Sequence, residues 1–226
     1  MNAPALRHLL CLTLSLGSVV FTKAAEPPTI ANVPGGLVVQ LGAVELNTAT
    51  RLSRTGRYII HVLDTNAVAV KKARESLKTG GVYGLAFAET LTNPAHLPYT
   101  ENLVNVVVVH SLGNTPLTEV FRILAPRGTL LITPRAGLNA INLSSAAAAG
   151  FVSISRQVDG TFIARKPWPK NMDTWSHPRH GASGNAVSLD TAVGPPKRVR
   201  WVAAAMSEVE GLVTDDGRNF YGGVLA

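Results

Sequence analysis

The sequence predicts a doubly wound α/β fold, and three observations predict it. Short, continuously apolar runs recur through residues 37–165, separated by segments of helical or polar composition; such runs suit strands covered on both faces of a parallel sheet. The chain is 46% hydrophobic but only 6% aromatic, which favours a core of Val, Leu and Ala in an α/β arrangement over an aromatic-rich β module. The last two runs alternate around Asp159-Gly160, a hairpin signal that adds an antiparallel edge.

Each element follows in order. Residues 25–36 carry Pro27-Pro28, Pro34 and Gly35-Gly36, an extended lead-in that cannot be helical. Leu37 to Leu41 is the first strand. Polar residues 45–55 have helical composition, and Tyr58 to Leu63 is a second strand ending at Asp64. Asn66 to Lys78 is an amphipathic helix with Ala67, Val70, Ala73 and Leu77 on one stripe, stopped by Thr79-Gly80-Gly81. Val82 to Ala88 reads as a weaker strand and Leu103 to Val109 as the strongest. Pro116 to Leu124 fits a helix opened by proline. Pro126-Arg127-Gly128 turns the chain into a strand over Thr129 to Thr133, and Leu138 to Ala149 is an Ala-rich helix. Phe151 to Arg156 and Thr161 to Arg165 form the hairpin. Strands separated by helices imply right-handed crossovers, and residues 37–166 have the size of one domain.

The ends differ in character. Arg7 and His8 precede the apolar run Leu9 to Phe21, and Thr22-Lys23-Ala24 offers small residues for cleavage, so residues 1–24 read as an export signal. The run's 13 residues fall short of the roughly 20 that cross a bilayer. Export would place the mature chain in the periplasm or cell envelope, without a membrane span. Cys11, the one cysteine, lies inside that run, which leaves the mature chain no disulfide and no thiolate ligand. The formal charge of +7 becomes +5 without Arg7 and Lys23. The remaining cations are dispersed and lack interleaved aromatics, a pattern of solvated faces rather than of nucleic-acid binding. Residues 167–226 open on Pro167-Trp168-Pro169 and turn rich in Gly, Pro and Asp, with β-like pieces at Val199 to Ala203 and Arg218 to Tyr221.

In an open parallel sheet a ligand sits beyond the carboxyl ends of the strands, where strand order reverses. Those ends are Gly42-Ala43-Val44, Asp64-Thr65, residues 89–93 and His110-Ser111. Asp64 follows Gly42 at about the distance of a ribose-binding acid. A carboxylate suits that role because two hydroxyls can donate to its two oxygens. An acid here serves equally well to cap the next helix, and the pattern alone does not separate the two. His177 and His180 near Trp175 lack an obvious third ligand, so no metal site is assigned. No Ser-His-Asp or paired-carboxylate arrangement stands out, and no catalytic residue is assigned.

The blocks "VVQLGAVELN", "VLDTN", "HLPYTENLVNVVVV", "EVFRILAPRGTLLI" and "AAGFVSI" resemble, in order and spacing, the class I S-adenosylmethionine-dependent methyltransferases of the small-molecule type. The resemblance covers residues 35–165 and implies a Rossmann-like seven-stranded sheet with a C-terminal antiparallel hairpin. It implies S-adenosyl-L-methionine as cofactor and methyl transfer to a small-molecule acceptor. Gly42 would approach the methionine part, Asp64 would bind the ribose, and Thr65 would lie beside the adenine. Thr92 and Asn93 would flank the adenine amine, and His110 would face the methyl. Such transfer needs little acid-base machinery, because the sulfonium is already activated and the protein supplies alignment.

The sequence departs from the family pattern at several places. Gln40 stands where an acid is usual, and Val44 and Leu46 stand where glycines let the backbone approach the cofactor. Asn105 replaces an acid in the fourth-strand block, and Arg127 replaces the first glycine of a Gly-Gly pair. These departures point to an altered cofactor loop and weak catalysis, with a non-catalytic binding or scaffold module as the alternative. A nicotinamide dehydrogenase fits less well, since the three-glycine fingerprint is missing. The tail, "MDTWSHPRHGASGNAVSLDTAVGPPKRVRWV" followed by "LVTDDGRNFY", is similar to the entry and first blade of quinoprotein-like β-propellers. About one blade is present and a propeller needs several.

Overall fold

The computed structural model describes residue 30 and residues 33–134, 143–192, 207–215 and 218–225. Its centre is a seven-stranded sheet built from β1 (Gly36–Leu41), β2 (Tyr58–Asp64), β3 (Ala86–Thr90), β4 (Val104–Val109), β5 (Leu124–Ile132), β6 (Val152–Arg156) and β7 (Phe162–Arg165). The strand order is β3-β2-β1-β4-β5-β7-β6. Strands β1 to β5 pair in parallel, while β7 runs antiparallel to both β5 and β6. The fold is therefore the doubly wound, Rossmann-like α/β fold with a closing hairpin that the sequence predicts. A separate two-stranded sheet follows from β8 (Ser207–Asp215) and β9 (Arg218–Leu225). Val199 to Ala203 and the first part of the Ala-rich helix lie outside the described residues.

Continuously apolar strands are buried from both sides. On one face α1 (Asn47–Ser53) and α2 (Ala67–Thr79) set Ala49, Leu52, Val70, Ala73 and Leu77 against Val38, Ile60, Val62 and Val106. On the other, α3 (Leu117–Ile123) and α4 (Leu143–Ala148) set Val120, Ile123 and Ala146 into a core with Val39, Leu41, Leu63, Val107 and Val109. Each Val, Leu or Ile side chain among these contributes roughly 1.5–3 kcal/mol on burial. Asn66 caps α2, its side chain accepting the N–H groups of Val68 and Ala69, as its residue type predicts.

Two strands differ from expectation. β3 begins at Ala86, not Val82, because Gly84 (φ +109) closes a turn in which Leu85 and Ala86 donate to the Val82 carbonyl. The strand instead continues through Glu89 and Thr90, which are polar because β3 is a sheet edge with half-solvated positions. β5 begins already at Leu124: Leu124 pairs with Val104, Thr129 with Val106, and the predicted turn at 126–128 survives as a bulge between them. Arg127 occupies the left-handed region there (φ 64). It donates its N–H to the Lys166 carbonyl, and its guanidinium stacks over Trp168 at 4.8 Å.

The chain crosses from β3 to β4 through residues 91–103 without a helix. Polar clamps hold this crossover down. Glu119 of α3 accepts the Leu97 N–H at 2.7 Å and a bidentate pair from Arg122, whose guanidinium also reaches the Leu97 and Tyr99 carbonyls. The Tyr99 hydroxyl lies 2.6 Å from His61 Nδ1. Burial lowers the His61 pKa, favouring the neutral ring that accepts this proton; burial, with Glu89 nearby, raises that of Tyr99, favouring the hydroxyl that donates it.

Candidate functional site

Strand order reverses between β1 and β4, so the crevice predicted for a ligand lies beyond Leu41 and Val109. A cavity of about 130 Å³ occupies that place, lined by Gly42, Leu63, Asp64, Thr65, Leu91, Pro94 and the 111–115 loop. The backbone knits its floor. The Leu41 carbonyl accepts from His110 and Ser111, and the Gly42 N–H donates to Leu63 at 2.8 Å.

Gly42 has φ +101, a conformation glycine adopts without penalty. A Cβ there would stand 3.1 Å from the Ser111 nitrogen and 3.2 Å from the His110 Cβ. The close approach that Gly42 permits is thus to this chain's own β4 loop.

Asp64 is half-buried at the end of β2. Its Oδ2 accepts the Ala43 N–H at 2.8 Å and its Oδ1 the Asn66 N–H at 2.8 Å. The carboxylate therefore braces the loop after β1 and the entry to α2. Each oxygen offers about two acceptor sites, so one on each remains for a vicinal diol. The cap of α2 is Asn66 itself, so Asp64 braces the entry to the helix without capping it.

Thr65 lines the cavity beside it. Asn93 is exposed and forms a turn, its side chain accepting the Ala95 N–H at 3.1 Å; its neighbours Leu91 and Pro94 line the cavity, Asn93 itself does not. The His110 ring is 3.1 Å from Thr133 Oγ1, at the end of β5, and Ser111 takes the place in the wall.

The departures from the family pattern resolve differently. Gln40 is buried, and its amide donates to the carbonyls of Gly42 at 2.9 Å and Glu45 at 2.6 Å. Val44 is 89% exposed and Leu46 packs beneath the loop against the core, so neither fills the cavity. Asn105 lies at the opposite end of the sheet, where its side chain accepts the Leu37 N–H and fills the space that a Cβ on Gly36 would need. It has no bearing on the cavity. The loop Ser111 to Thr115 was the element that sequence reasoning underweighted, although Gly113-Asn114 after the strongest strand is a turn signal.

Near the tail, His180 pairs with Asp173 at 2.7 Å, and Asp173 also accepts the Leu189 N–H at 2.6 Å. These bonds lower the Asp173 pKa. His177 contacts Ser176 instead. Among the described residues there is no cluster of three or more His, Cys, Asp or Glu suited to a metal, and no helix long and apolar enough to cross a membrane.

The sheet order, the antiparallel β7 and a cavity at the β1/β4 switch point define a Rossmann-like fold of the methyltransferase type. Solved structures that the chain is similar to include the 4+2 cyclase SpnF, at 15% identity over 60% of this chain and 76% of that one, with a TM-score of 0.49. The S-adenosylmethionine-dependent methyltransferase SibL is 17% identical over 59% of this chain and 51% of its own, with a TM-score of 0.46. A SAM-dependent methyltransferase from Methanosarcina mazei is 14% identical over 60% of this chain and 94% of its own, with a TM-score of 0.44. No protein-family model and no curated protein matches the chain.

The residues at the cavity fit one half of the cofactor that the sequence resemblance implies. Asp64 with two open acceptor sites suits a ribose, and Leu63, Leu91 and Pro94 offer an apolar wall for a flat base. Among the described residues, the methionine half finds no comparable set of groups.

Proposed function

We propose that this chain is a methyltransferase-type domain that works as a binding module for the adenosine half shared by S-adenosyl-L-methionine and its relatives. The observation that carries the reading is Asp64: it sits at the end of β2, in the wall of the switch-point cavity, with an acceptor site left on each carboxylate oxygen. Thr65 and the apolar Leu63-Leu91-Pro94 wall support it. Methyl transfer requires the methyl group to be aligned with an acceptor; the nucleoside reading makes no such demand.

Titration calorimetry of the full chain with adenosine tests the reading. Asp64→Asn should weaken binding by about 10- to 100-fold, the equivalent of losing a charged hydrogen bond, while the far-UV spectrum is retained. Absence of binding at millimolar adenosine, or equal binding by the folded variant, would overturn it.

Two further parts belong to the same proposal. Arg7-His8 and the Leu9 to Phe21 run address the chain for export. The tail serves as the start of a propeller blade, a reading supported by the β8–β9 hairpin.

A further inference from the structure

We infer that the site selects neutral adenosine-type nucleosides and discriminates against the methionine-bearing sulfonium cofactor associated with its fold; this rests on the nucleoside reading of Asp64 above. The first observation is Gln40. Its buried amide spends its donors on the Gly42 and Glu45 carbonyls, folding the loop after β1 onto its own strand. A carboxylate at this position could donate neither bond. The loop after β1 is therefore a turn satisfied from within.

The second observation is charge. Among the described residues, Asp64 is the one charged side chain in the cavity wall, and the acceptor site left on each of its oxygens is the one a ribose would take. A methionine arm brings a carboxylate as well as an ammonium. Desolvating that carboxylate without a partner is costly, and among the described residues no Lys or Arg lines this wall to receive it. A neutral nucleoside asks only for two acceptors and an apolar face.

The third observation is size. The cavity measures about 130 Å³, against ~300–1,000 Å³ for pockets that enclose drug-sized ligands. It accommodates part of a nucleoside, so an amino-acid arm added to one would lie outside it.

The test is calorimetry of the full chain with adenosine, 2′-deoxyadenosine, S-adenosyl-L-methionine and S-adenosyl-L-homocysteine, read as binding alone. Adenosine should bind at least about tenfold more tightly than either amino-acid-bearing ligand. Loss of the 2′-hydroxyl should weaken binding by about tenfold, one hydrogen bond to a charged acceptor. Equal or tighter binding of S-adenosyl-L-methionine or S-adenosyl-L-homocysteine would overturn the selectivity while leaving the nucleoside reading intact. No binding of any of the four would overturn both.

Discussion

Gln40 secures the loop that leads from β1 past the cavity. Its side chain is 1% exposed and holds two carbonyls of the Gly42–Glu45 turn. Gln40→Glu removes both donors and sets a carboxylate against two carbonyl oxygens, so it should lower stability by about 2–4 kcal/mol, read as a shift of the urea midpoint at neutral pH. An unchanged midpoint would mean that these bonds do not secure the loop. The position of Asp64 was legible in the sequence, because strand length and spacing fix where the second strand ends. The role of Gln40 was not: the pattern marks it as a departure, but only the fold shows that its amide turns back on the loop. Val44 illustrates the converse. Its bulk suggested obstruction, yet it points into solvent at 89% exposure.

At the scale of elements, polar clamps replace the helix that the β3–β4 crossover lacks. Glu119 fixes Leu97 and Arg122 together, and these hydrogen bonds hold its carboxyl below the ordinary value of 4.5, with the Arg122 bonds the largest cause. A depressed folded-state pKa means that the stabilisation is present above pH 4.5 and is lost as pH falls through the lower folded value. Denaturant midpoints measured against pH should therefore fall on an acid limb below pH 4.5. Glu119→Gln should flatten that limb and lower the neutral-pH stability by about 2 kcal/mol.

Lys166, at the exit of β7, closes the other side. Its buried ammonium donates to Asn102 Oδ1 at 2.7 Å and to the carbonyls of Phe121 and Leu124 at 2.8 Å each, capping the end of α3 where a cation is favoured. Burial lowers its pKa. Lys166→Met leaves these acceptors unmet and should cost about 2–4 kcal/mol, seen as a lowered thermal midpoint. These clamps were invisible in the sequence because they join residues far apart in the chain. The strands they secure were legible, except where a Gly turn imitated strand at Val82–Leu85 and where the edge position made Glu89 and Thr90 look like loop.

For the whole molecule, the order β3-β2-β1-β4-β5-β7-β6 places the ends of β1, β2 and β4 around one cavity. The architecture was readable because a parallel sheet buried on both faces writes itself as apolar runs, and the hairpin announced its own reversal. Of the residues the sequence singles out, Gly42, Asp64 and Thr65 sit at strand ends and line the cavity. The site was less readable in the Ser111–Thr115 wall, whose placement depends on how the chain leaves β4. The most direct measurement is backbone-amide NMR of the nitrogen-labelled full chain titrated with adenosine. The account predicts shifts concentrated at Gly42, Ala43, Asp64, Thr65 and Ser111 to Thr115; shifts centred elsewhere, or none at saturating nucleoside, would contradict it.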